Sequence, residues 1–246
     1  MNCVMAMSNC RARSFALVKK MLSGIVGFVG LGIGLMYAPQ IYDRWIIVDG
    51  LIGIAGPGNN ADIGLAVPVD SHTKGDAKAK VTLVKFADFV CPPCKMAIGP
   101  MDDLLKTRPD VKFVFRQFPM TMIPAHKWAL QCAIASEAAG RQSKFWPMHD
   151  VLYQHQDETK ELTFDPVNLQ GFAKEVGLDV ERFKKDMEDT AVQKRVAKDI
   201  AAAETLGVKG TPCFFLVSAT KIWKFPQMSD LKQAFDNPDH SIWKEK

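Results

Sequence analysis

The sequence predicts an α/β fold: a mixed β-sheet with helices on both faces and an inserted helical block, preceded by an N-terminal transmembrane helix. Three observations support this prediction. An apolar run at 81–89 has the composition of a buried strand and leads through two closely spaced cysteines into a helix-like stretch. A long block of helical periodicity separates this half from a later pair of strand-like runs. An uncharged apolar run at 21–38 is just long enough to cross a bilayer.

Length and composition favour one folded domain with appendages. The chain has 246 residues, a formal net charge of +4 and 48% hydrophobic residues, which suffices for one core. No basic stripe with interleaved aromatic residues occurs, so nucleic-acid binding is not expected. Six cysteines are too few for a disulfide scaffold in a chain of this length.

The N-terminal segment is predicted to be a membrane anchor. A basic tail at 1–20 precedes the apolar run at 21–38, so the tail is expected in the cytoplasm and the rest on the exported side. The chain is therefore predicted to be a single-pass protein of the inner (cytoplasmic) membrane with its folded domain on the periplasmic side. A cleavable signal peptide is the alternative, but the residues before Pro39 form a poor cleavage site. Gly30 and Gly34 form a G-x-x-x-G face through which two such helices could dimerise.

The remaining elements follow in order along the chain. Residues 39–74 are predicted to be a juxtamembrane segment and linker, 75–237 the folded domain with its helical insertion at about 120–206, and 238–246 a C-terminal tail. Strands are predicted at 81–89, 111–118, 213–217 and 220–225. Helices are predicted at 95–106, 124–140, 145–156, from 165 onward, from 179 to a stop at Gly207, and from a cap at Ser229. A parallel strand pair joined by helices, followed by a terminal hairpin, gives a mixed sheet.

The most informative residues are Cys91-Pro92-Pro93-Cys94, at the junction of a strand and a helix. This spacing and position indicate a redox-active dithiol. The unpaired N–H groups and the positive end of the helix dipole favour a thiolate on Cys91, and Pro92 suits the first helical position. Cys91 is expected to be accessible and to form a mixed disulfide, which the buried Cys94 then resolves. The chain is predicted to be an enzyme without a metal, whose only redox group is the Cys91–Cys94 disulfide.

Four stretches of sequence resemble the bacterial DsbA-like family of exported thiol–disulfide oxidoreductases, which have a thioredoxin fold with a helical insertion. They are VTLVKFADFVCPPC at 81–94, VFRQFP at 114–119, FWPMHDVLYQHQ at 145–156 and VKGTPCFFL at 208–216. The resemblance implies that Pro212 is a cis-proline facing the dithiol, and that the backbone of Thr211 hydrogen-bonds an extended substrate. It also implies two kinds of partner: exported proteins with cysteines as substrates, and a membrane redox protein that recycles the dithiol.

Three residues depart from the pattern of this family. Where members usually carry a buried acid, six residues before the first cysteine, this chain has Lys85. A buried lysine would be a neutral base or a charged group that stabilises a thiolate, and the alternative is that it extends to the surface without a role. Pro93 has no backbone N–H to donate to the Cys91 sulfur, so the thiolate should be less stabilised and the dithiol a weaker oxidant. Cys213, directly after Pro212, is either a third thiol near the dithiol or an inert core residue.

Two other interpretations stay open. Cys91, Cys94, Cys132 and Cys213 would supply four thiolates for a structural zinc site, although no second metal-binding spacing accompanies them. A redox-inactive chaperone or scaffold on the same fold is the other, and the intact cysteine pair disfavours it. Asp88, three residues before the first cysteine, is expected to orient the active-site loop. These residues do not determine whether the enzyme acts as an oxidase, an isomerase or a reductase.

Overall fold

The computed structural model describes residues 54–56, 60–156 and 164–244. The predicted basic tail and membrane anchor, 1–38, lie outside these residues, and none of the described helices has the length and apolarity to cross a membrane. The elements in chain order are β1 Ile54–Gly56, α1 Asn60–Ala66, β2 His72–Lys74, β3 Val81–Ala87, α2 Pro92–Met96, α3 Ile98–Thr107, β4 Val111–Gln117, a 3₁₀ turn at Pro124–His126, α4 Ala129–Gly140, α5 Phe145–Gln154, α6 Pro166–Glu175, α7 Val180–Glu188, α8 Thr190–Thr205, β5 Cys213–Val217, β6 Ile222–Phe225, α9 Met228–Asp236 and a 3₁₀ turn at Ser241–Lys244.

One mixed sheet organises the domain, with the strand order β1-β6-β5-β3-β4-β2 among the described residues. β3 and β4 run parallel, whereas β5 pairs antiparallel with both β3 and β6. All seven residues of the central strand β3 are buried, because helices cover both of its faces. The predicted mixed sheet is thus confirmed, and its four predicted strands lie within two residues of their expected bounds.

Successive residues of the central strands alternate between two separate cores, as the strand period requires. Leu83 of β3 and Phe214 of β5 belong to the larger core, beneath α2, α3 and the helical insertion. Val84 of β3 and Phe215 of β5 belong to the smaller core, beneath α1 and the C-terminal half of α8. Cys91 and Cys94 lie on the side of the larger core, so the dithiol shares one face of the sheet with the helical insertion except for the C-terminal half of α8.

The structure divides two helices that the sequence predicts as continuous. The predicted helix 95–106 consists of α2 and α3, which meet at Ala97. The predicted helix from 179 to 207 consists of α7 and α8, separated at Asp189. The Asp189 backbone is extended (φ −68°, ψ 123°), and its carboxylate accepts a hydrogen bond of 2.7 Å from the N–H of Ala191. Aspartate occurs on exposed helix faces as well as at N-caps, so Asp189 alone does not predict that one helix ends and another begins there.

Two other predicted helix starts are wrong by a few residues. A 3₁₀ turn at Pro124–His126 precedes α4, which begins only at Ala129. Helix α9 begins at Met228, so Ser229 lies inside its first turn and does not cap it. The Ser229 hydroxyl instead hydrogen-bonds the carboxylate of Asp230 at 3.4 Å.

Part of the predicted linker 39–74 folds with the domain. β1 pairs with β6, and β2 pairs with β4. Helix α1 contributes Ala66 to the smaller core, and the carbonyls of Leu65 and Ala66 accept hydrogen bonds of 2.5 and 2.8 Å from Arg116 in β4. In the predicted tail, Ile242 is also buried. These elements are short and separated by turn-forming residues, so their composition is that of a linker although their contacts are those of a domain.

A buried ion pair links α8 to strand β4. The Arg116 guanidinium lies 2.9 Å from the carboxylate of Asp199, and both side chains are almost fully buried. The same carboxylate accepts a hydrogen bond of 2.9 Å from the backbone N–H of Gln117. Because a buried charge is tolerated only when it is paired, this contact fixes α8 against the C-terminal end of β4.

Candidate active site

The central strand β3 brings the chain directly to the dithiol. Cys91 has an extended backbone (φ −83°, ψ 115°) and occupies the N-cap of α2, with Pro92 and Pro93 at the first two helical positions. Cys94 follows at the third position and is fully buried, whereas 6% of the Cys91 surface is exposed. Cys91 is therefore the more accessible of the two sulfurs, although only a small part of it reaches the surface.

The two thiols have opposite pKa shifts. A hydrogen bond from the Cys94 thiol is the main cause that lowers the pKa of Cys91 to about 6. A hydrogen bond from Thr211 and one from the Cys94 amide also lower this pKa, whereas burial raises it. Burial raises the pKa of Cys94 well above its usual value, and its hydrogen bond to Cys91 adds to that rise. At neutral pH the pair therefore consists of a Cys91 thiolate and a Cys94 thiol. A nucleophile next to a protonated partner is what disulfide exchange needs.

The helix that the sequence predicts after Cys91 begins as the five-residue α2. Ala97 keeps an αR backbone (φ −77°, ψ −10°) between α2 and α3, and α3 follows directly. Besides the predicted dipole effect, the Cys94 thiol, a hydrogen bond from Thr211 and the Cys94 amide lower the pKa of Cys91.

The residues before β5 face the dithiol. In its protonated form the Cys91 thiol donates a hydrogen bond of 3.4 Å to the carbonyl oxygen of Thr211. The Thr211–Pro212 peptide bond is cis. The structure therefore brings Cys91 next to Thr211 and Pro212, which follow the dithiol by more than 100 residues in the chain.

Asp88 organises the loop between β3 and α2. Its buried carboxylate accepts hydrogen bonds from the N–H of Val90 at 2.8 Å and of Met120 at 2.9 Å, and it contacts Nδ1 of His126 at 2.7 Å. This loop-orienting position agrees with the expectation for Asp88. The sequence did not connect His126 with the dithiol, because the contact joins residues from two distant loops.

Lys85 lies directly beneath the dithiol and does not reach the surface. Its side chain is fully buried, and Nζ donates a hydrogen bond of 2.9 Å to the carbonyl oxygen of Cys94. Nζ also lies 5.2 Å from the centre of the Tyr153 ring. Burial lowers the pKa of Lys85 to about 8, against Cys94 and Cys91, which raise it. The alternative in which Lys85 extends to the surface is therefore wrong.

The two remaining cysteines of the domain are buried on different faces of the sheet. Cys132 on α4 packs in the larger core, together with the dithiol, and burial raises its pKa. Cys213 packs in the smaller core on the opposite face, and burial raises its pKa to about 11. A four-thiolate zinc site would need all four cysteines on one side of the sheet. The position of Cys213 instead supports the interpretation as a core residue.

A cavity of about 440 Å³ opens beside the site, between α3, α5 and β4. Its lining combines apolar side chains with Lys95, Asp102 and Asp150 and with the buried His149 and Tyr153. His149 is enclosed by aromatic rings, and burial lowers its pKa to about 4. No sequence pattern predicts this cavity, since its walls come from separate elements.

Comparison with known proteins agrees with this geometry. The model of the thioredoxin family matches residues 68–237. The chain belongs to the thioredoxin family. Within it, the fold and its structural neighbours place the chain in the DsbA-like group. A thioredoxin-like oxidoreductase from Silicibacter pomeroyi is 29% identical, with a TM-score of 0.57 over 73% of this chain and 96% of that one. DsbA2 from Pseudomonas aeruginosa is 25% identical, with a TM-score of 0.55 over 69% and 94%.

Curated relatives of this thioredoxin-family chain are much longer proteins. One is a protein of Salinispora tropica named Na(+)/H(+) antiporter NhaA 3, 40% identical over 157 residues, which are 63% of this chain and 23% of that protein. Another is a protein of Herminiimonas arsenicoxydans named Na(+)/H(+) antiporter NhaA, 38% identical over 156 residues, which are 62% of this chain and 24% of that protein. The chain therefore spans about a quarter of the length of these relatives.

Proposed function

We propose that this protein is a membrane-anchored thiol–disulfide oxidoreductase that forms, reduces or isomerises disulfides in exported proteins. The observation that carries the proposal is the pairing of a Cys91 thiolate, pKa about 6, with the buried Cys94 thiol at the end of a central strand. A lone reactive cysteine would lack the second thiol needed to resolve a mixed disulfide. A redox-inactive scaffold would have no need of two thiols with opposed pKa shifts.

The reaction follows from the positions of the two sulfurs. In the oxidising direction, a substrate thiolate attacks Cys91 Sγ of the Cys91–Cys94 disulfide, and Cys94 leaves as a thiolate that takes up a proton. A second substrate thiolate then attacks the substrate sulfur of the mixed disulfide, and Cys91 leaves as the stabilised thiolate. In the reducing direction Cys91 attacks a substrate disulfide, and Cys94 resolves the mixed disulfide. A low pKa makes Cys91 a good leaving group, which favours release of oxidised substrate.

The substrate is proposed to lie across Thr211 and Pro212. The Thr211 carbonyl is 3.4 Å from the Cys91 sulfur, so a substrate cysteine joined to Cys91 brings its own backbone next to residue 211. A backbone–backbone contact of this kind suits an extended, unfolded segment and is independent of its side chains. Exported proteins with unpaired or wrongly paired cysteines have this character.

The membrane location is proposed from residues 1–38. The apolar run at 21–38 would hold the chain in the cytoplasmic membrane, with the domain on the exported side, because the basic flank precedes it. The long relatives are named for a membrane antiport activity, which agrees with a domain that works beside a membrane. A membrane redox protein would then restore the dithiol or disulfide, and the glycine face of 21–38 would allow a dimer.

The catalytic proposal is tested with serine variants of the two active-site cysteines. Cys91→Ser should abolish disulfide exchange with insulin, and Cys94→Ser should accumulate covalent adducts through Cys91 that a reductant releases. Cys213→Ala is the matched control, because that thiol lies on the other face of the sheet and should leave turnover unchanged. Full activity in Cys91→Ser, or adducts that form through Cys94 instead, would contradict the assigned roles.

Topology and direction need separate measurements. A C-terminal reporter that is active only after export should be active on the full chain, and activity only in the cytoplasm would contradict the proposed orientation. A mature N-terminus near Pro39 would show that the predicted anchor is a cleaved signal peptide. The midpoint potential of the Cys91–Cys94 couple distinguishes the directions, since a strong oxidant has a high potential and a reductant a low one.

A further inference from the structure

His126 lies at the end of the 3₁₀ turn after β4, and its imidazole meets the carboxylate of Asp88 beside the dithiol. The distance from Nδ1 to Asp88 Oδ2 is 2.7 Å, and only 11% of the His126 side chain is exposed. Because a carboxylate only accepts hydrogen bonds, Nδ1 carries a hydrogen and donates it. The contact spans 38 positions in the chain, so it joins the loop before α2 to the loop after β4.

The Asp88 carboxylate is a buried negative charge without any exposed surface. Its described donors are the backbone N–H groups of Val90, at 2.8 Å, and of Met120, at 2.9 Å, together with the His126 ring. The two N–H groups are fixed dipoles of the main chain, whereas an imidazole can also carry a positive charge. Water does not screen a buried charge well, so the part that its donors do not offset acts on the groups around it.

The Asp88 charge acts on the reacting sulfur. The Asp88 carbonyl oxygen accepts the N–H of Cys91 at 3.3 Å. The hydrogen bond from Cys94 lowers the pKa of Cys91, and the Asp88 carboxylate acts to raise it. Burial raises the pKa of Cys132 and of Tyr153, and the Asp88 charge adds to both shifts, so these two groups stay protonated. Cys91 is therefore the group of these three whose charge changes when the disulfide is reduced.

We propose that His126 is a positioning residue of the active site, which stabilises the Cys91 thiolate by offsetting the charge of the Asp88 carboxylate. This inference rests on the proposed function. The imidazole holds the carboxylate through Oδ2, and its N–H reduces the negative field at the sulfur. In the disulfide form the sulfur carries no charge, so the same contact has little effect there. His126 therefore favours the reduced form of the couple, which makes the disulfide a stronger oxidant.

The size of the effect follows from the indirect way in which His126 acts. A charge in direct contact shifts a pKa by about 1–3 units, and His126 offsets only part of such a charge. In His126→Leu we therefore expect the pKa of Cys91 to rise by about half a unit from its value of about 6. Half a unit lowers the thiolate fraction below pH 6 about threefold. If the loss falls on the reduced form alone, the equilibrium constant with glutathione also changes about threefold, or about 15 mV towards a weaker oxidant.

The test is a double-mutant cycle on the full chain in detergent, with the pKa of Cys91 as the readout. Thiolate absorbance is titrated in the wild-type protein, in His126→Leu, in Asp88→Asn and in the double variant. If His126 acts through the Asp88 charge, its removal raises the Cys91 pKa in the wild-type background and not in the Asp88→Asn background. A role in loop structure alone would shift the pKa equally in both backgrounds or in neither, and either result would overturn the inference.

Two amide variants of His126 provide a second measurement that does not depend on the folding of His126→Leu. His126→Asn places an amide N–H near the position of Nδ1, which contacts the carboxylate, whereas His126→Gln places it near Nε2, on the far side of the ring. The Cys91 pKa should stay close to its wild-type value in His126→Asn and rise in His126→Gln. Equal pKa values in these two variants would contradict the proposed contact.

His72→Leu is the matched control, because it also removes an imidazole–carboxylate contact. His72 Nε2 lies 2.8 Å from the carboxylate of Glu137, whose other described partners are Gln117 and Arg195 and not residues of the dithiol loop. This variant should leave the pKa of Cys91 unchanged. A rise as large as that in His126→Leu would mean that any loosening of the domain moves this pKa, and the inference would fall.

Failure of this inference can be told apart from failure of the proposed function. A protein that exchanges disulfides with insulin, but keeps the wild-type Cys91 pKa in every His126 variant, overturns only the role of His126. A protein without a reversible Cys91–Cys94 couple overturns the proposed function, and the inference with it.

Discussion

Replacing Pro93 with alanine should strengthen the Cys91 thiolate. An N-cap side chain accepts hydrogen bonds from the N–H groups at the second and third helical positions. In this protein the N-cap is Cys91, the second position is Pro93, which has no N–H, and the third is Cys94. Pro93→Ala therefore adds a donor that points at the sulfur, whereas the wild-type helix offers only the Cys94 amide.

The size of the effect follows from the strength of one hydrogen bond to a charged group, about 1.5–3 kcal/mol. We expect the lower end, because Pro93 is exposed and water competes for its new N–H. A gain of about 1.4 kcal/mol corresponds to about one pKa unit, so the Cys91 pKa should fall by about one unit from its value of about 6. If the gain belongs to the reduced form, the midpoint potential rises by about 30 mV.

Thiolate absorbance titration measures the pKa, and equilibration with a glutathione buffer measures the potential. Pro92→Ala is the matched control: it makes the same chemical change at the first helical position, whose N–H does not point at the N-cap side chain. Both substitutions also increase the freedom of the unfolded chain to a similar extent, so their effects on stability should match. Equal pKa shifts in the two variants, or an unchanged or higher pKa in Pro93→Ala, would refute the reasoning.

Three further predictions concern residues around the site. Asp88→Asn should lower the pKa of Cys91, because the Asp88 carboxylate acts against the thiolate. It should also lower the free energy of unfolding by about 1–3 kcal/mol, because the Asp88 carboxylate loses its hydrogen bonds to the loop. Thiolate titration measures the pKa and urea unfolding the stability, and a higher Cys91 pKa would contradict the electrostatic argument. Asp199→Ala leaves Arg116 buried and unpaired, so urea unfolding should show a loss of about 3–5 kcal/mol, and a loss near zero would mean that the pair does not hold α8 in place. The pKa of His149 is about 4 in the folded state, below its ordinary value of about 6.5. The free energy of unfolding should therefore be constant above about pH 6.5 and fall by up to about 3 kcal/mol as the pH approaches 4. His149→Phe should flatten this part of the stability profile, and an unchanged profile would assign the acid sensitivity to other groups.

Local patterns in the sequence were enough to predict the thioredoxin-like mixed sheet and the position of the two cysteines between a buried strand and a helix. The apolar run at 81–89 predicts a buried strand, and a C-x-x-C at the start of a helix predicts a dithiol, because both depend on residues that are neighbours in the chain. The order of strands and helices then restricts the topology to a mixed sheet. The bounds of β3, β4, β5 and β6 agree with these patterns.

Only the tertiary structure determined the environment of the dithiol. Whether Lys85 is buried depends on the side chains that α2 and α5 place around it. The sequence alone does not distinguish a buried lysine from one that extends to the surface. Likewise, the side of the sheet that Cys213 occupies is set by the register of β5 against β3, because a shift of one residue would move it to the other face. Burial and charge act through space, so the pKa shifts of Cys91 and Cys94 depend on groups such as Thr211 and Lys85 that lie elsewhere in the chain as well as on the two cysteines themselves.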